Sequence, residues 1–203
     1  MKPLFRLALG LGLVLASTSP RRRRFLEEWG LPFRALRPSG VEPTPARGET
    51  PSAYACRAAE AKAQAAAKRA TGSLILGADT VVALGADVLG KPRDPAEALN
   101  MLTRLSGNAH EVVSAVCLLL PDGGKRVFFD TSRVHFRSWP QAVLAAYALS
   151  GEPDDKAGAY AIQGQGAFLA ERVEGAFSTV VGLPLAPLAE TLLSEGLMSP
   201  VVP

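Results

Sequence analysis

Residues 13–24 read LVLASTSPRRRR, and this stretch combines a strand signal with a helix start. The apolar run 13–16 predicts a buried first strand. Ser19 suits a helix N-cap, and Pro20 suits the first helical position because its missing N–H would be unpaired there. Basic side chains are unfavourable at the positive end of a helix. The arginines after Pro20 therefore indicate a bound polyanion at the helix start, with a solvated basic face as the alternative for some of them.

The composition predicts one globular domain over residues 1–203. Of the 203 residues, 48% are hydrophobic and 20% are charged, which is enough for a core in one domain with two lobes. The net charge of +3, from 22 basic and 19 acidic residues, is too small to indicate general nucleic-acid binding. The two cysteines, Cys56 and Cys117, form no CxxC pair. Their number and spacing favour a reducing compartment, the cytoplasm, over a disulfide framework or a zinc site.

The first eleven residues allow two interpretations. Lys2 and Arg6 precede the apolar stretch 7–16, which resembles the charged and apolar regions of a signal peptide. That stretch is too short to span a bilayer, and it runs directly into the helix start described above. We therefore expect a buried strand from Leu13, no membrane association, and a loose N-terminal extension over residues 1–11, or a start codon assigned too early.

The rest of the chain alternates between helical and strand patterns. The predicted helices cover residues 20–29, 51–70, 95–106, 140–149 and 184–193. The predicted strands cover residues 13–16, 31–36, 74–84, part of 86–91, 111–120, 126–136 and 177–181. A hairpin turn at residues 121–124 joins two of these strands. The alternation with a single hairpin predicts an α/β domain around a mixed sheet.

Asp79 is the strongest single candidate for a catalytic or metal-binding residue. It interrupts the apolar strand pattern of residues 74–84, between Ala78 and Thr80. A buried carboxylate is costly unless it is paired or binds a metal. It therefore predicts a strand that opens into a cleft, where the carboxylate holds a divalent cation and orients a water. The alternative is a buried aspartate that caps a nearby loop.

Other polar residues are weaker signals taken singly. Lys91 is fixed between a glycine and a proline, whereas Lys62 lies on an alanine-rich helix and Glu42 in a loop. Gln163 lies between an apolar run and a glycine, and its amide can read the edge of a base, although a buried glutamine satisfied by backbone is the alternative. Neither histidine forms a convincing nucleophile–base pair, so a metal-activated water is the more natural hydrolytic scheme.

Together these segments resemble the Maf family of nucleoside triphosphate pyrophosphatases. The matching segments appear in the family's order and are LASTSPRR at 15–22, GADTVV at 77–82, GKP at 90–92, YAIQG at 160–164, RVEG at 172–175 and VVGLP at 180–184. The resemblance implies an α/β fold of the Maf and ITPase type, with an elongated, strongly twisted mixed sheet flanked by helices and a cleft between two lobes. It also implies cleavage of a nucleoside triphosphate to the monophosphate and pyrophosphate with a divalent cation, Mg, Mn or Co.

The resemblance also assigns roles to residues. Asp79 matches the catalytic residue and, with Glu42, a metal ligand. The residues that match polar groups around the phosphates and metal are Ser17, Lys62 and Lys91. The residues that match positions tied to substrate choice are Arg21, Thr80 and Gln163. The segment at residues 162–164 is similar to the branch of the family that acts on dTTP and UTP, rather than the branch that acts on 7-methyl-GTP.

Two other functions remain as alternatives at this point. The first is a nucleotide-binding regulator of cell division with little turnover. The second is a nucleic-acid-binding module that uses the arginine run, which the weak net charge and the absence of interleaved aromatics disfavour. The expected partner is a nucleoside triphosphate, with no nucleic acid. The oligomeric state stays open, and a homodimer is one option.

Overall fold

The computed structural model describes residues 2–40 and 43–202. Within them the helices are α1 (Pro20–Glu28), α2 (Pro51–Ala67), α3 (Pro95–Leu105), α4 (Gln141–Ala148), α5 (Phe177–Val181) and α6 (Leu185–Ser194). The strands are β1 (Phe5–Leu7), β2 (Leu13–Ala16), β3 (Arg34–Ala35), β4 (Leu74–Leu84), β5 (Asp87–Leu89), β6 (Ala109–Leu119), β7 (Lys125–Phe136), β8 (Ala170–Glu174) and β9 (Met198–Pro200). None of the described helices is long and apolar enough to cross a membrane.

The main sheet is mixed, and it confirms the predicted α/β class. Its strands run in the order β3-β2-β4-β6-β7-β8, and β5 pairs with β4 outside that path. Strand β2 is parallel to both β3 and β4, whereas the other pairs of the sheet are antiparallel. Helices flank the sheet and pack on its buried residues in three clusters.

One side of the long central strand β4 is interrupted. Strand β6 pairs with residues 75–83 of β4 without a break. On the opposite side, β2 pairs with residues 74–77 and β5 pairs with residues 82–84. No strand in the described part of the chain covers residues 78–81 on that side. The sheet therefore opens at Asp79 and Thr80, as predicted for the acid within the apolar strand.

Helix α2 lies unusually close to β4. The contact is made of small residues, because Ala55, Ala59 and Ala63 on α2 are all fully buried. A Cβ added at Gly77 would lie 2.3 Å from the Ala59 carbonyl oxygen and 2.7 Å from the Ala63 nitrogen. Such distances do not occur, so only glycine fits at this crossing. The alanine-rich composition of the helix is thus explained by a backbone-to-backbone approach.

The N-terminal residues correct one expectation. Residues 1–11 were expected to be loose, but Phe5–Leu7 forms β1 and pairs antiparallel with β9 at the other end of the chain. The ring of Phe5 also packs edge-on against Trp29, with 5.4 Å between the ring centroids. The two strands are only three residues long, and each depends on a partner that is about 190 residues away in sequence.

The segment 177–181 corrects another expectation, because it is helix α5 and not a strand. Its β-branched residues favour a strand locally, but tertiary hydrogen bonds decide its conformation. Ser132 Oγ donates to the Ala176 carbonyl at 3.0 Å, and Ser114 Oγ donates to the Thr179 carbonyl at 2.7 Å. The predicted strand over residues 31–36 also shrinks to Arg34–Ala35.

We expect Gly77→Ala to destabilise the fold by about 1–3 kcal/mol or more, because the new methyl group contacts backbone atoms that cannot rotate away. Gly12→Ala is the matched control, since a Cβ there has Ser73 Oγ as its nearest neighbour at 3.6 Å. Urea unfolding of both variants measures the difference. Equal urea midpoints for the two variants would show that α2 and β4 can move apart at little energetic cost, and would contradict the prediction.

Candidate active site

A cleft of about 790 Å³ lies where the central strand is uncovered. It gathers the sequence-predicted residues that the structure describes, which come from five separate segments of the chain: Ser17, Arg21, Lys62, Asp79, Thr80, Lys91 and Gln163. The predicted metal ligand Glu42 lies outside the described residues. The cleft thus brings together side chains that are up to 146 positions apart, and the roles assigned to them stay predictions.

Asp79 and Lys62 form an ion pair in this cleft. The Lys62 ammonium group donates to Asp79 Oδ1. The Asp79 side chain is 8% exposed and the Lys62 side chain is 19% exposed. Helix α2 brings Lys62 here because it crosses β4 at Gly77, two residues before Asp79 and on the same face of the strand. A carboxylate held this way is oriented, and it remains open to the cleft.

Thr80 points to the opposite face of the strand, because side chains alternate along β4. Its hydroxyl lies 2.8 Å from Ser114 Oγ on β6, the residue directly opposite in the register. Ser114 in turn donates to the carbonyl of Thr179 at 2.7 Å. Because the edge of β4 is uncovered here, both faces of the strand contribute to one cleft.

Arg22 is a site residue that sequence reasoning did not single out. It is 9% exposed, which is low for an arginine, and it lines the cleft. Nε donates to the Gly182 carbonyl at 2.8 Å, Nη2 to Thr80 Oγ1 at 2.9 Å, and Nη1 to Ser17 Oγ at 3.3 Å. The signal for it was the arginine run itself. Which of the four arginines is buried depends on distant partners, Gly182 and Thr80, that the local sequence does not reveal.

The far wall of the cleft is formed by β5 and the turn that follows α4. The Gly90 carbonyl next to Lys91 accepts a hydrogen bond from the Gly158 N–H at 3.0 Å, which ties the two segments together. Lys156 donates to Asp155 Oδ1 at 2.5 Å. Burial raises the pKa of Asp155, but the hydrogen bond from Lys156 and the charges of Lys156 and Arg21 outweigh it, so the net pKa is lowered. Asp155 is therefore an anion beside the cleft at neutral pH.

Tyr160 also lines the cleft, and a buried histidine stands behind it. The Tyr160 hydroxyl lies 2.8 Å from His110 Nε2. Within the described part of the chain, His110 Nδ1 is buried without a hydrogen-bond partner. Burial, with a smaller effect from the charge of His135, lowers the pKa of His110 to about 4. His110 is thus neutral at physiological pH and supports Tyr160 by packing and one hydrogen bond.

Comparison with known proteins identifies the family. The model of the family described as "Maf-like protein" matches residues 12–195. The chain belongs to the Maf family. This Maf protein is 51% identical over 184 residues to the dTTP/UTP pyrophosphatase of Nitratidesulfovibrio vulgaris, across 91% of this chain and 88% of that relative. It is 48% identical over 188 residues to the dTTP/UTP pyrophosphatase of Myxococcus xanthus, across 93% of this chain and 94% of that relative.

Solved structures of other pyrophosphatases are more distant. The nucleoside-triphosphatase, or dITP/XTP pyrophosphatase, of Mycobacterium abscessus is 17% identical and has a TM-score of 0.46 over 92% of this chain and 96% of that chain. The fold assignment of the Maf protein rests on its own sheet and on the family match.

The donor set of the cleft fits a hard divalent cation shared with a substrate. Among the described residues, no group of three or more histidines, cysteines or carboxylates is placed to hold a metal ion. Mg²⁺ commonly binds through one or two carboxylates together with substrate phosphates, so the Asp79 carboxylate, which lines the cleft, suits that mode. The second predicted carboxylate, Glu42, lies outside the described residues.

The buried histidine leads to a prediction about acid stability. Between pH 6.5 and about 4 the unfolded chain protonates His110 and the folded protein does not. The free energy of unfolding therefore falls as the pH falls through this window, by about 3 kcal/mol from this group. In His110→Gln that contribution is absent, and urea unfolding at several pH values measures the difference. Parallel stability curves for the two proteins would contradict the neutral, buried state of His110.

Proposed function

We propose that this Maf protein hydrolyses dTTP and UTP to the nucleoside monophosphate and pyrophosphate. The observation that carries the proposal is that an oriented carboxylate, several cations and an amide side chain line the same cleft. The names of the relatives from N. vulgaris and M. xanthus, both dTTP/UTP pyrophosphatases, support the same reaction. The family match and the fold agree with it.

The cations of the cleft suit a triphosphate. Arg21 lies in the first turn of α1, at the positive end of the helix dipole, which favours a bound anion. We assign Arg21, Lys91 and Lys62 to the phosphates, on which a guanidinium fork and ammonium groups offset the negative charge. Arg22 also lines the cleft, and its contacts to Ser17 and Thr80 keep these two hydroxyls in place.

Asp79 is assigned to the attacking water. Its carboxylate is held by Lys62 and open to the cleft, so it can accept a proton from a water and direct that water at the α-phosphorus. The new bond forms between the water oxygen and the α-phosphorus, and the bond to the bridging oxygen breaks in line with it. The leaving pyrophosphate keeps that oxygen, and the cations offset its charge.

A divalent cation, Mg, Mn or Co, is part of the proposal. When bound at Asp79 with the triphosphate, and with Glu42 as a second ligand, it supplies Lewis-acid stabilisation of charge on the phosphate oxygens. Lys62 and Arg21 offset the remaining charge of the phosphates, so the protein side chains and the cation act on the same groups.

The base end of the substrate is assigned to Gln163, with Arg21 and Thr80 as further residues that influence substrate choice. An amide offers one donor face and one acceptor face, which complements the neighbouring acceptor and donor of uracil and thymine. Cytosine presents an amino donor where these bases present a carbonyl acceptor. A site built to hydrogen-bond one edge rejects a base that leaves its groups unpaired.

The other candidate functions have less support. A regulator with little turnover has no need for a carboxylate oriented beside several cations, and the weak net charge of the chain disfavours a nucleic-acid-binding module. The two cysteines are free thiols, which suits our expectation of a reducing cytoplasm. The absence of nucleic-acid binding stays a prediction, and the oligomeric state stays open, with a homodimer as one option.

We expect Asp79→Asn to lower turnover of UTP by about 10²–10⁴-fold while the protein stays folded, because the amide cannot accept the proton of the water. Glu111→Gln is the matched control, since Glu111 is an exposed carboxylate on the neighbouring strand β6 and does not line the cleft. Pyrophosphate release and thermal unfolding are measured for both. Near-normal turnover in Asp79→Asn would remove Asp79 from the mechanism.

We expect dTTP and UTP to be hydrolysed far better than ATP, GTP, 7-methyl-GTP or CTP. In Gln163→Ala the preference for UTP over CTP falls by about tenfold or more, since a bidentate base contact discriminates by about 1–3 kcal/mol. Gln165→Ala is the control, because Gln165 is exposed two residues further on and does not line the cleft. A purine preference in the native enzyme, or an unchanged ratio in Gln163→Ala, would refute the pyrimidine assignment.

A further inference from the structure

The segment that carries Gln163 is held by a carboxylate outside the cleft. Glu152 begins the turn after α4, and its side chain reaches the backbone of a later turn, Gly164–Phe168. Oε1 accepts a hydrogen bond from the Gln165 N–H at 3.0 Å, and Oε2 accepts one from the Gly166 N–H at 2.8 Å. Two successive backbone groups just after Gln163 are therefore fixed by one side chain.

A tyrosine fixes the same segment on the other side of Gln163. The Tyr147 hydroxyl donates to Glu152 Oε2 at 2.8 Å and accepts a hydrogen bond from the Ala161 N–H at 3.1 Å. Tyr147 is only 5% exposed and comes from helix α4, so its own position is set by the core. The backbone is thus held at residue 161 and again at residues 165–166, and Gln163 lies midway between the two attachments.

The glycines around Gln163 match this arrangement. Gly164 has a φ of +75°, and a Cβ on it would lie 2.3 Å from Glu152 Oε1. A Cβ on Gly166 would lie 2.4 Å from the Tyr147 hydroxyl oxygen. The positive φ favours glycine at position 164, and at position 166 a Cβ would also lie 2.7 Å from the Ala161 carbonyl oxygen. The pattern Gln-Gly-Gln-Gly at residues 163–166 is complementary to Glu152 and Tyr147.

The charge on Glu152 strengthens the attachment. Burial raises the pKa of this carboxyl, but the hydrogen bonds from Tyr147 and from the Gln165 and Gly166 N–H groups, with the charge of Lys156, outweigh it and lower the pKa overall. Glu152 is therefore ionised at neutral pH. Hydrogen bonds to an ionised acceptor are shorter and stronger than neutral ones.

We propose that Glu152, together with Tyr147, is a positioning residue for base selection, which acts by fixing the backbone that presents Gln163 to the cleft. Neither Glu152 nor Tyr147 lines the cleft, so neither touches the substrate there. The inference rests on the proposed function, because it requires Gln163 to read the base. It adds that selectivity for uracil and thymine depends on a carboxylate and a phenol behind the site.

Two substitutions change this attachment with little change in shape. Glu152→Gln replaces one carboxylate oxygen by an NH₂ group, which would face N–H and O–H donors. Tyr147→Phe removes only the hydroxyl. Asp154→Asn is the control, because Asp154 is an exposed carboxylate in the same turn and does not line the cleft. Thermal unfolding of the full-length proteins reports whether each variant is folded.

The measurement is the ratio of kcat/KM for UTP to kcat/KM for CTP. In Glu152→Gln and in Tyr147→Phe we expect this ratio to fall about tenfold, mainly through a higher KM for UTP, while CTP hydrolysis stays within about twofold because the phosphate contacts are unchanged. In a Gln163→Ala background, Glu152→Gln should change the ratio no further. Non-additivity of this kind is expected when one residue acts through another.

The outcomes separate the inference from the function on which it rests. A ratio that Gln163→Ala lowers but Glu152→Gln and Tyr147→Phe leave unchanged would refute the positioning role alone. A parallel loss of UTP and CTP hydrolysis in both variants, or an additive effect in the double variant, would show a merely structural role and also refute it. A ratio unaffected by Gln163→Ala would refute base reading by Gln163, and the positioning role with it. If Glu152→Gln fails to fold, Tyr147→Phe decides between these results.

Discussion

The close contact between helix α2 and strand β4 is the constraint on which the site depends. At Gly77 the two backbones approach to a distance that excludes any side chain, and the small residues of α2 extend this contact along the helix. Lys62 lies in the same turn of the helix, between Ala59 and Ala63, and forms an ion pair with Asp79. A helix held farther away would leave the carboxylate without this cation. Packing of the smallest side chains therefore places the charged pair that the proposed chemistry needs.

A second constraint is the gap in strand pairing along β4. Residues 78–81 are covered by β6 on one side and by no described strand on the other. Because side chains alternate along a strand, Asp79 lies on the face of the sheet that packs against α2, and Thr80 lies on the opposite face, where Arg22 contacts it. Both faces contribute to one cleft because the edge of β4 is uncovered here. The fold thus separates two tasks along adjacent residues. The proposed water-directing group and the hydroxyl network occupy opposite faces of the same strand.

Local patterns in the sequence predicted much of this arrangement. Strand β2, helices α1 to α3 and the β6–β7 hairpin follow from hydrophobic periodicity, caps and turn residues, and Asp79 was evident as a charge within an apolar strand. Features fixed by distant partners were missed. Arg22 could not be chosen among four arginines without Gly182, which lies 160 residues away. The β1–β9 pair and helix α5 were missed for the same reason, because their own residues favour other conformations or none.

The central claim is that a water directed by Asp79 attacks the α-phosphorus. Hydrolysis of UTP in ¹⁸O-labelled water, followed by mass spectrometry of both products, tests it most directly. Attack at the α-phosphorus places one ¹⁸O atom in the phosphate of UMP and none in pyrophosphate. Label in the pyrophosphate would show attack at the β-phosphorus, and UDP with inorganic phosphate would show a different reaction. Either result would contradict the claim.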